Sequence, residues 1–183
     1  MAVVARVAAR AAAVLLLVAL AAPLVWQAVT GDFYMTVNGR SMVPTYQVGD
    51  ILVVRPPSGD ELATDQQVVV MTFDAERGTD AAMYVHRVVE PLGGGTAWLQ
   101  GDGNDDRDPR PVQQDAVVGT PRLELRGPVA RVFAFTQSVT GRVTCGVLAL
   151  GLLLLPGART ARTPRAGTDD EQAPQSTLNG GRT

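Results

Sequence analysis

The chain of 183 residues has no lysine, a single histidine and a single cysteine, and each scarcity narrows the chemistry open to it. All 16 basic residues are arginine, which excludes a lysine general base. Any side-chain imidazole chemistry must therefore use His86. The lone Cys145 excludes an internal disulfide and a cysteine-rich metal site. The 16 basic and 18 acidic residues leave no excess positive charge for a nucleic-acid footprint, so we expect no nucleic-acid partner.

The N-terminal part combines a short basic segment with a long uncharged run. Residues 1–10 carry Arg6 and Arg10 and no acid, and residues 11–30 carry no charge. A run of about 20 apolar residues is what a helix needs to cross a bilayer. A cleaved secretory signal is the alternative, because small residues follow the apolar centre. The apolar stretch continues to Trp26, a residue type common at membrane interfaces, which favours a retained signal-anchor helix over 11–30 with a cytoplasmic N-terminus over 1–10.

Residues 32–128 are different in kind, because polar and apolar residues mix there and Gly and Pro divide them into short stretches. Short runs rich in β-branched residues between turn signals are typical of strands. The pattern predicts a mostly antiparallel β domain with at most one short helix, at 60–67. The predicted strands cover residues 34–37, 51–54, 68–73, 83–89, 97–99 and 117–118.

Towards the C-terminus the sequence becomes apolar again, and residues 143–158 carry no charge. Sixteen residues are short for a membrane span, but Arg142 and Arg159 at its ends can lengthen it by reaching towards the headgroups. We therefore predict a second transmembrane helix over 132–156, with an amphipathic or buried helix as the alternative. The polar segment 157–183 predicts a disordered cytoplasmic tail.

Two spans would place both ends of the chain on the same side of the membrane. The short flanks at both ends are rich in arginine, and the positive-inside rule assigns such flanks to the cytoplasm. We therefore expect a multi-pass protein of the cell membrane. Its β domain, residues 32–128, would lie on the extracytoplasmic side, close to the bilayer.

Three short segments of the predicted β domain carry side chains suited to nucleophilic catalysis. Ser41 lies between Gly39 and Pro44, which both limit helix, and a predicted strand follows. His86 lies within another strand pattern, and the third segment, 101–109, is acidic. Serine, histidine and aspartate are the parts of a nucleophile, a general base and an orienting carboxylate. Histidine suits the role of base because imidazole exchanges protons near neutral pH.

Each segment also has an ordinary structural explanation. Ser41 alone would be a turn serine, and His86 alone a strand histidine that is satisfied within the fold. The acidic segment resembles the start of an EF-hand calcium loop, since oxygen-bearing side chains alternate along it. These side chains are Asp102, Asn104, Asp106 and Asp108. The segment lacks the glycine of the sixth loop position, where Arg107 stands, and the glutamate of the twelfth, where Gln113 stands, so we expect no metal and no other cofactor.

Together the three segments resemble the sequence boxes of type I signal peptidases, over residues 11–156. The string SMVPT at 41–45, followed by Gly-Asp and a hydrophobic strand, matches the nucleophile box. The string HRV at 86–88 matches the histidine box of the endoplasmic-reticulum and archaeal branch, which also occurs in Gram-positive bacteria. The string GDGN at 101–104, with a later Asp before Pro109, matches the acidic box. The absence of lysine supports this branch, because the common bacterial enzymes use a lysine base.

The resemblance implies a membrane-bound serine endopeptidase that removes signal peptides from exported preproteins. It implies Ser41 as the nucleophile and His86 as the general base. It implies Asp108 as the carboxylate that orients His86, with Asp102 as the runner-up or a structural support. Two other functions stay open: a processing peptidase dedicated to a few substrates, and a non-catalytic membrane adaptor with the same fold.

The expected partners are the signal peptides of secreted preproteins and the lipid bilayer. A substrate would lie extended along an edge strand, with Met42, Pro44 and Tyr84 at the binding surface. The resemblance implies small side chains one and three residues before the cut. The sequence departs from the family pattern at Gly39, where many relatives carry a serine that helps to bind the oxyanion, and at Arg40, where glycine is common.

Overall fold

The structure is a computed structural model that describes residues 2–72 and 83–155. Among the described residues, helix α1 precedes the seven strands in the chain, and helices α2 and α3 follow them. The helices are α1 (Ala2–Thr30), α2 (Gly127–Gln137) and α3 (Val139–Leu154). The strands are β1 (Phe33–Thr36), β2 (Ile51–Arg55), β3 (Val68–Thr72), β4 (Met83–Gly93), β5 (Thr96–Gln100), β6 (Val112–Gln113) and β7 (Val117–Leu125).

The described strands form one antiparallel sheet in the order β1-β2-β7-β3-β4-β5-β6. Strand β7 joins its two halves, since it pairs with β2 and with β3, and the register shifts in both pairings. Such shifts bend a strand and increase its twist. Gly119 permits the close approach of β7 to β2, because a Cβ there would lie 2.7 Å from Val54 Cγ1. The expected antiparallel sheet is confirmed.

The sheet buries apolar side chains on both of its faces. In β3 the alternation is visible along three residues: Val70 packs into one cluster, whereas Val69 and Met71 pack into the other. The first cluster consists of Val37, Met42, Tyr46, Leu52, Val54, Val70 and Val85. The second consists of Leu62, Val69, Met71, Val88, Ala97, Leu99 and Val117. The first cluster therefore holds the 41–46 segment against the sheet.

Each of the six predicted strands overlaps a strand of the structure, and the differences lie at the ends. Strand β4 continues to Gly93 and β7 to Leu125. Pro91 and Pro121 lie inside these extensions, at or next to irregular pairings, and proline ordinarily ends a strand pattern. The two-residue strand β6 is too short for a periodicity, and the short helix expected at 60–67 is a single 3-10 turn.

Helix α1 ends at Thr30 and β1 begins at Phe33, so only two residues connect the helix to the sheet. Over residues 3–30 it is long and apolar enough to cross a membrane. Its end is tied to the sheet through Asp32, which is 2% exposed. The Asp32 carboxylate accepts a hydrogen bond from Trp26 Nε1 at 2.8 Å and pairs with Arg122 at 3.2 Å. The helix and the sheet are therefore joined by more than the connecting residues.

The single helix expected over 132–156 is instead two helices, α2 and α3, which bend by 80° at their junction. Ser138 caps α3, since its Oγ accepts a hydrogen bond from the Gly141 N–H at 3.0 Å. A Cβ on Gly141 would overlap the carbonyl of Phe135, so glycine permits the sharp bend. Residue 156 and the expected disordered tail, 157–183, lie outside the described residues.

Helix α3 packs along α1 through small side chains. Gly141, Cys145 and Ala149 are buried at intervals of four residues, and Ala13 is buried on α1. Small residues at this spacing allow close packing of helices in membranes. At about 1.5 Å per residue α3 is only about 24 Å long, shorter than the roughly 30 Å hydrocarbon layer. α2 and α3 taken together are long enough for a second membrane span, whereas α3 alone would need flanking residues to complete one.

Candidate active site

The Ser41 turn lies between β1 and β2, and residues that follow Ser41 pack into the core and hold the turn in place. Met42 is 1% exposed and Tyr46 is buried, both in the first apolar cluster. The Tyr46 N–H donates to the Met42 carbonyl at 2.9 Å, and the Val43 N–H donates to the Arg40 carbonyl at 3.1 Å. Ser41 is half-buried at the top of this turn. The apolar residues that follow it therefore fix its backbone.

The glycines of the acidic segment pack directly against the Ser41 turn. The Gly103 N–H donates to the Ser41 carbonyl at 2.7 Å. A Cβ on Gly101 would lie 2.9 Å from Ser41 Cβ, and one on Gly103 would lie 2.8 Å from the Val43 carbonyl oxygen. Any larger residue would push the two segments apart. Glycine is thus required here by close contact.

His86 lies on β4 and contacts Asp108, which follows β5. Its Nδ1 lies 2.8 Å from Asp108 Oδ1 and 3.0 Å from Oδ2, and the residue is 8% exposed. An ionised carboxylate only accepts hydrogen bonds, so this contact places a proton on Nδ1 and leaves Nε2 as an acceptor. The Asp108 N–H donates to the Leu99 carbonyl at 2.8 Å, which holds the carboxylate at the end of β5. This is the tautomer that a general base requires.

Asp102 contacts a different set of side chains. Its carboxylate accepts from Arg87 Nε at 2.8 Å and from Arg87 Nη2 at 2.6 Å, a bidentate pair. Thr45 Oγ1 donates to the same carboxylate. The Arg87 guanidinium, and after it the Thr45 hydroxyl, hold the pKa of Asp102 below its usual range although burial opposes them. Asp102 therefore ties the Ser41 segment to β4 and to the acidic segment.

The separation of the two carboxylates follows from the geometry of a strand. His86 and Arg87 are consecutive on β4, so their side chains leave the strand on opposite faces. His86 meets Asp108 on one face and Arg87 meets Asp102 on the other. Asp102 and Asp108 are thus engaged with different partners and do not converge as ligands of one cation. The two carboxylates are therefore not arranged here as the start of a calcium loop would require.

The residues expected at the binding surface differ in position. Tyr84 is half-buried, and its ring meets the His86 ring edge-on, with centroids 5.1 Å apart and an interplanar angle of 80°. Pro44 is exposed on the Ser41 turn. Met42 is buried in the core, because its apolar side chain packs under the turn. Its expected place at the binding surface is therefore wrong in this structure.

The structure ties the Ser41 turn to Asp102 and Arg87 and separately joins His86 to Asp108, but it shows no hydrogen bond between Ser41 and His86. Within 2–72 and 83–155, Ser41 Oγ makes no hydrogen bond, and neither does the Ser41 backbone N–H. Catalytic hydrogen bonds are often long in the free enzyme and tighten with substrate. Beside the turn a cleft of about 350 Å³ opens, lined in part by Thr45, Arg87 and Gly101.

Arg87 and Thr45 are residues to which sequence reasoning assigned no role. Both lie inside segments that the sequence singled out, one position after His86 and four after Ser41. In the sequence they were marked only by their places in the strings SMVPT and HRV, which do not indicate their partners. Their convergence on one carboxylate depends on the folded sheet.

Comparison with known proteins shows the family of the chain. No curated protein matches the sequence at a significant level. Residues 6–120 match the family described as Peptidase S24-like, a stretch that includes the Ser41 turn, His86 and Asp108. Serine-type peptidase chemistry is what this family implies. Because the match covers more than half of its length, the chain belongs to the Peptidase S24-like family.

Proposed function

We propose that the protein is a membrane-bound serine endopeptidase that cleaves signal peptides from exported preproteins, as a signal peptidase of the Ser-His type. The contact of His86 Nδ1 with Asp108, on the strand that Arg87 and Asp102 tie to the Ser41 segment, carries this proposal. The link between α1 and the sheet supports the membrane part. Since α1 can cross a bilayer and leads directly into β1, the site would lie close to the membrane surface.

The chemistry follows from the tautomer of His86. Ser41 Oγ attacks the carbonyl carbon of the scissile bond while His86 Nε2 takes the hydroxyl proton. Asp108 stabilises the imidazolium that forms. His86 then gives the proton to the departing amine, and an acyl-enzyme remains on Ser41. A water molecule, deprotonated by His86, releases the acyl group and restores the serine.

The oxyanion of the tetrahedral intermediate needs hydrogen-bond donors. The Ser41 N–H is suited to this task, because in the part of the chain that the structure describes it donates to no other group. Gly39 offers no hydroxyl where many relatives of the proposed branch have one. A second donor would have to come from elsewhere.

Substrate would bind as an added strand. β1 is an edge of the sheet and leads directly into the Ser41 turn. An extended peptide leaving the bilayer beside α1 would reach this edge first, and main-chain hydrogen bonds would position its cleavage region. Pro44, on the turn that follows β1, remains the proposed contact for its side chains, whereas Tyr84 lies on β4, four strands from this edge in the sheet order. The sheet would face the extracytoplasmic side, where signal peptides are removed.

The test is the incubation of the detergent-solubilised full chain with several preproteins. We expect cleavage at the end of the signal peptide, its loss in Ser41→Ala and its retention in Ser58→Ala, an exposed serine of another loop. Equal cleavage by Ser41→Ala would refute the assignment of the nucleophile. Cleavage of a single preprotein would favour a dedicated processing peptidase. Folded protein that cleaves no preprotein would favour an adaptor, and incubation of the chain alone would reveal self-cleavage.

A further inference from the structure

Helix α2 presents its apolar residues outwards, which is the reverse of a helix in a water-soluble domain. Ala130, on the inner side, is 1% exposed. On the opposite side lie Val129, Val132 and Phe135, which are 61%, 64% and 47% exposed. Three large side chains at helical spacing form a continuous apolar strip, and a strip of this kind marks a surface that something covers. We call it the α2 strip.

Contacts with α1 place α2 beside the C-terminal half of that helix. The Tyr34 hydroxyl donates to the Pro23 carbonyl at 3.2 Å, and the Tyr34 ring lies 4.8 Å from the ring of Phe133 on α2. At the far end of α2, Gln137 Nε2 donates to the Ala19 carbonyl at 3.5 Å. About 16 Å of helix separates Ala19 from Thr30, at about 1.5 Å per residue. Helix α2 therefore lies against α1 between Ala19 and the end of that helix next to the sheet.

The direction and charge of α2 favour a bilayer as its cover over a second protein chain. α3 packs along α1, and α2 turns away from α3 by 80°, so α2 lies close to the membrane plane if α3 follows the span. Arg131 and Arg142 are the charged residues of α2 and α3, which contain no acid. Trp26, 46% exposed, lies near the same end of α1. Cations and an aromatic beside an apolar strip are typical of the headgroup layer.

The inner side of α2 is connected to the Ser41 turn. Arg126, the residue that precedes α2, donates from Nη2 to the Thr45 carbonyl at 3.0 Å and pairs with Glu124 at 2.7 Å. Thr45 in turn holds Asp102. A displacement of α2 would thus be transmitted to the segment that carries the proposed nucleophile.

We propose that α2 is an interfacial helix, with the α2 strip inserted among the acyl chains of the leaflet next to the sheet, and that it sets the height of the Ser41 turn above the bilayer. The exposed apolar surfaces of α1 and α3 continue the strip, so the same lipid would cover all three. The depth of α2 rests on the proposed membrane location and is independent of the proposed peptidase activity.

Depth is measured on the full chain in vesicles of phosphatidylcholine and phosphatidylglycerol. Cys145→Ala supplies a background for single cysteines at Val132, at Leu148 on α3 and at the exposed Thr64 of the sheet domain, each labelled with an environment-sensitive dye. Spin-labelled lipids carry the quencher at a shallow or a deep carbon. We expect the label at 132 to be quenched more by the shallow lipid, the label at 148 more by the deep lipid, and the label at 64 by neither.

Two outcomes would overturn the interfacial position. A label at 132 that behaves like the one at 64 would place α2 in water. One that behaves like the label at 148 would make α2 part of a broken span. Self-quenching at 132 that disappears on dilution with unlabelled chain would identify a second copy as the cover and would equally refute the proposal.

The effect on the Ser41 turn is tested with Val132→Asp against Leu92→Asp, a control at an exposed apolar residue of the β4–β5 hairpin. We expect Val132→Asp to lower cleavage of a membrane-inserted preprotein about tenfold and to leave cleavage of a short soluble peptide within about twofold. Leu92→Asp should change neither rate. Equal rates for both variants on both substrates would refute the role of α2 in setting the height. Failure of every form, including the parent chain, to cleave either substrate would refute the proposed function, and the quenching result would still decide the depth.

Discussion

Replacement of Asp108 by asparagine tests the assignment of the orienting carboxylate. Both oxygens of Asp108 lie within 3.0 Å of His86 Nδ1, and the two side chains are 12% and 11% exposed. An asparagine has nearly the same shape but carries an amide that donates hydrogen bonds. If that amide donates to Nδ1, the imidazole proton moves to Nε2, where it blocks acceptance of the Ser41 proton. The imidazolium would also lose its counter-charge.

The expected loss is large because both effects act on the transition state. In a chymotrypsin-type triad, the same exchange lowers turnover about 10⁴-fold. Here we expect Asp108→Asn to lower single-turnover cleavage by at least about 10²-fold, which corresponds to about 2.7 kcal/mol of transition-state stabilisation. The melting temperature should change little, since the Asp108 N–H still donates to the Leu99 carbonyl.

Asp102→Asn is the matched comparison, because it makes the same chemical change within the same segment. It would weaken the bidentate pair with Arg87 and its bond with Thr45. Hydrogen bonds to charged groups contribute about 1.5–3 kcal/mol each when they are well formed, and partial exposure reduces that value. We therefore expect a melting temperature several degrees lower, with any loss of activity following the loss of structure.

Melting temperature and single-turnover rate, measured on both variants in the same detergent, separate the two roles. The role of Asp108 is refuted if Asp108→Asn cleaves at the parent rate. The role of Asp102 as a structural support is refuted if Asp102→Asn is inactive while its melting temperature is unchanged. In that case Asp102 would be the residue that acts on His86.

Three further predictions concern stability, the site and topology. The lowered pKa of Asp102 means that its pairing with Arg87 stabilises the fold above the ordinary aspartate pKa, and that this contribution is lost as pH falls through the lower folded value. Unfolding with denaturant should therefore show a stability difference between the parent and Asp102→Asn that is full at neutral pH and shrinks below about pH 4. Gly101→Ala should displace the Ser41 turn and reduce cleavage at least about tenfold. Gly39→Ala should be tolerated, because its Cβ would meet no atom within 4 Å. The cleavage rates of the two folded variants test this difference. Reporter fusions should place the sheet domain outside the cell and the segment after residue 158 inside, and a tail accessible only from outside would contradict the two-span topology.

Short-range pattern was sufficient for much of the architecture. The run 51–54 is continuous in β-branched and aliphatic residues, and it forms a strand buried along its length. The uncharged run 11–30 lies within one helix, because an apolar segment of that length favours a helix, and Pro23 inside it does not end the helix. Ser41, His86 and Asp108 were found as residue types within recognisable strings. All of these features depend on neighbours in the sequence.

The partners of the acidic residues could not be read from neighbours. Asp102 and Asp108 lie in one short segment, and either carboxylate was chemically able to orient His86. The outcome depends on the direction in which two consecutive residues leave β4, and on the pairing of β4 with β5, which places the acidic segment across both faces. The burial of Met42 has a similar origin, because the sheet beneath the Ser41 turn supplies the apolar surface that receives it.

The same contrast holds for the C-terminal helices. Composition indicated an apolar helical segment, and helices are present there. The division of this segment into α2 and α3 depends on Ser138, which caps α3, and on Gly141, which leaves room for the carbonyl of Phe135. It also depends on α1, because α3 packs against small residues of that helix. Hydropathy records how apolar a segment is but not which surfaces surround it. The choice between one straight helix and a bent pair was therefore made by packing, which only the tertiary structure contains.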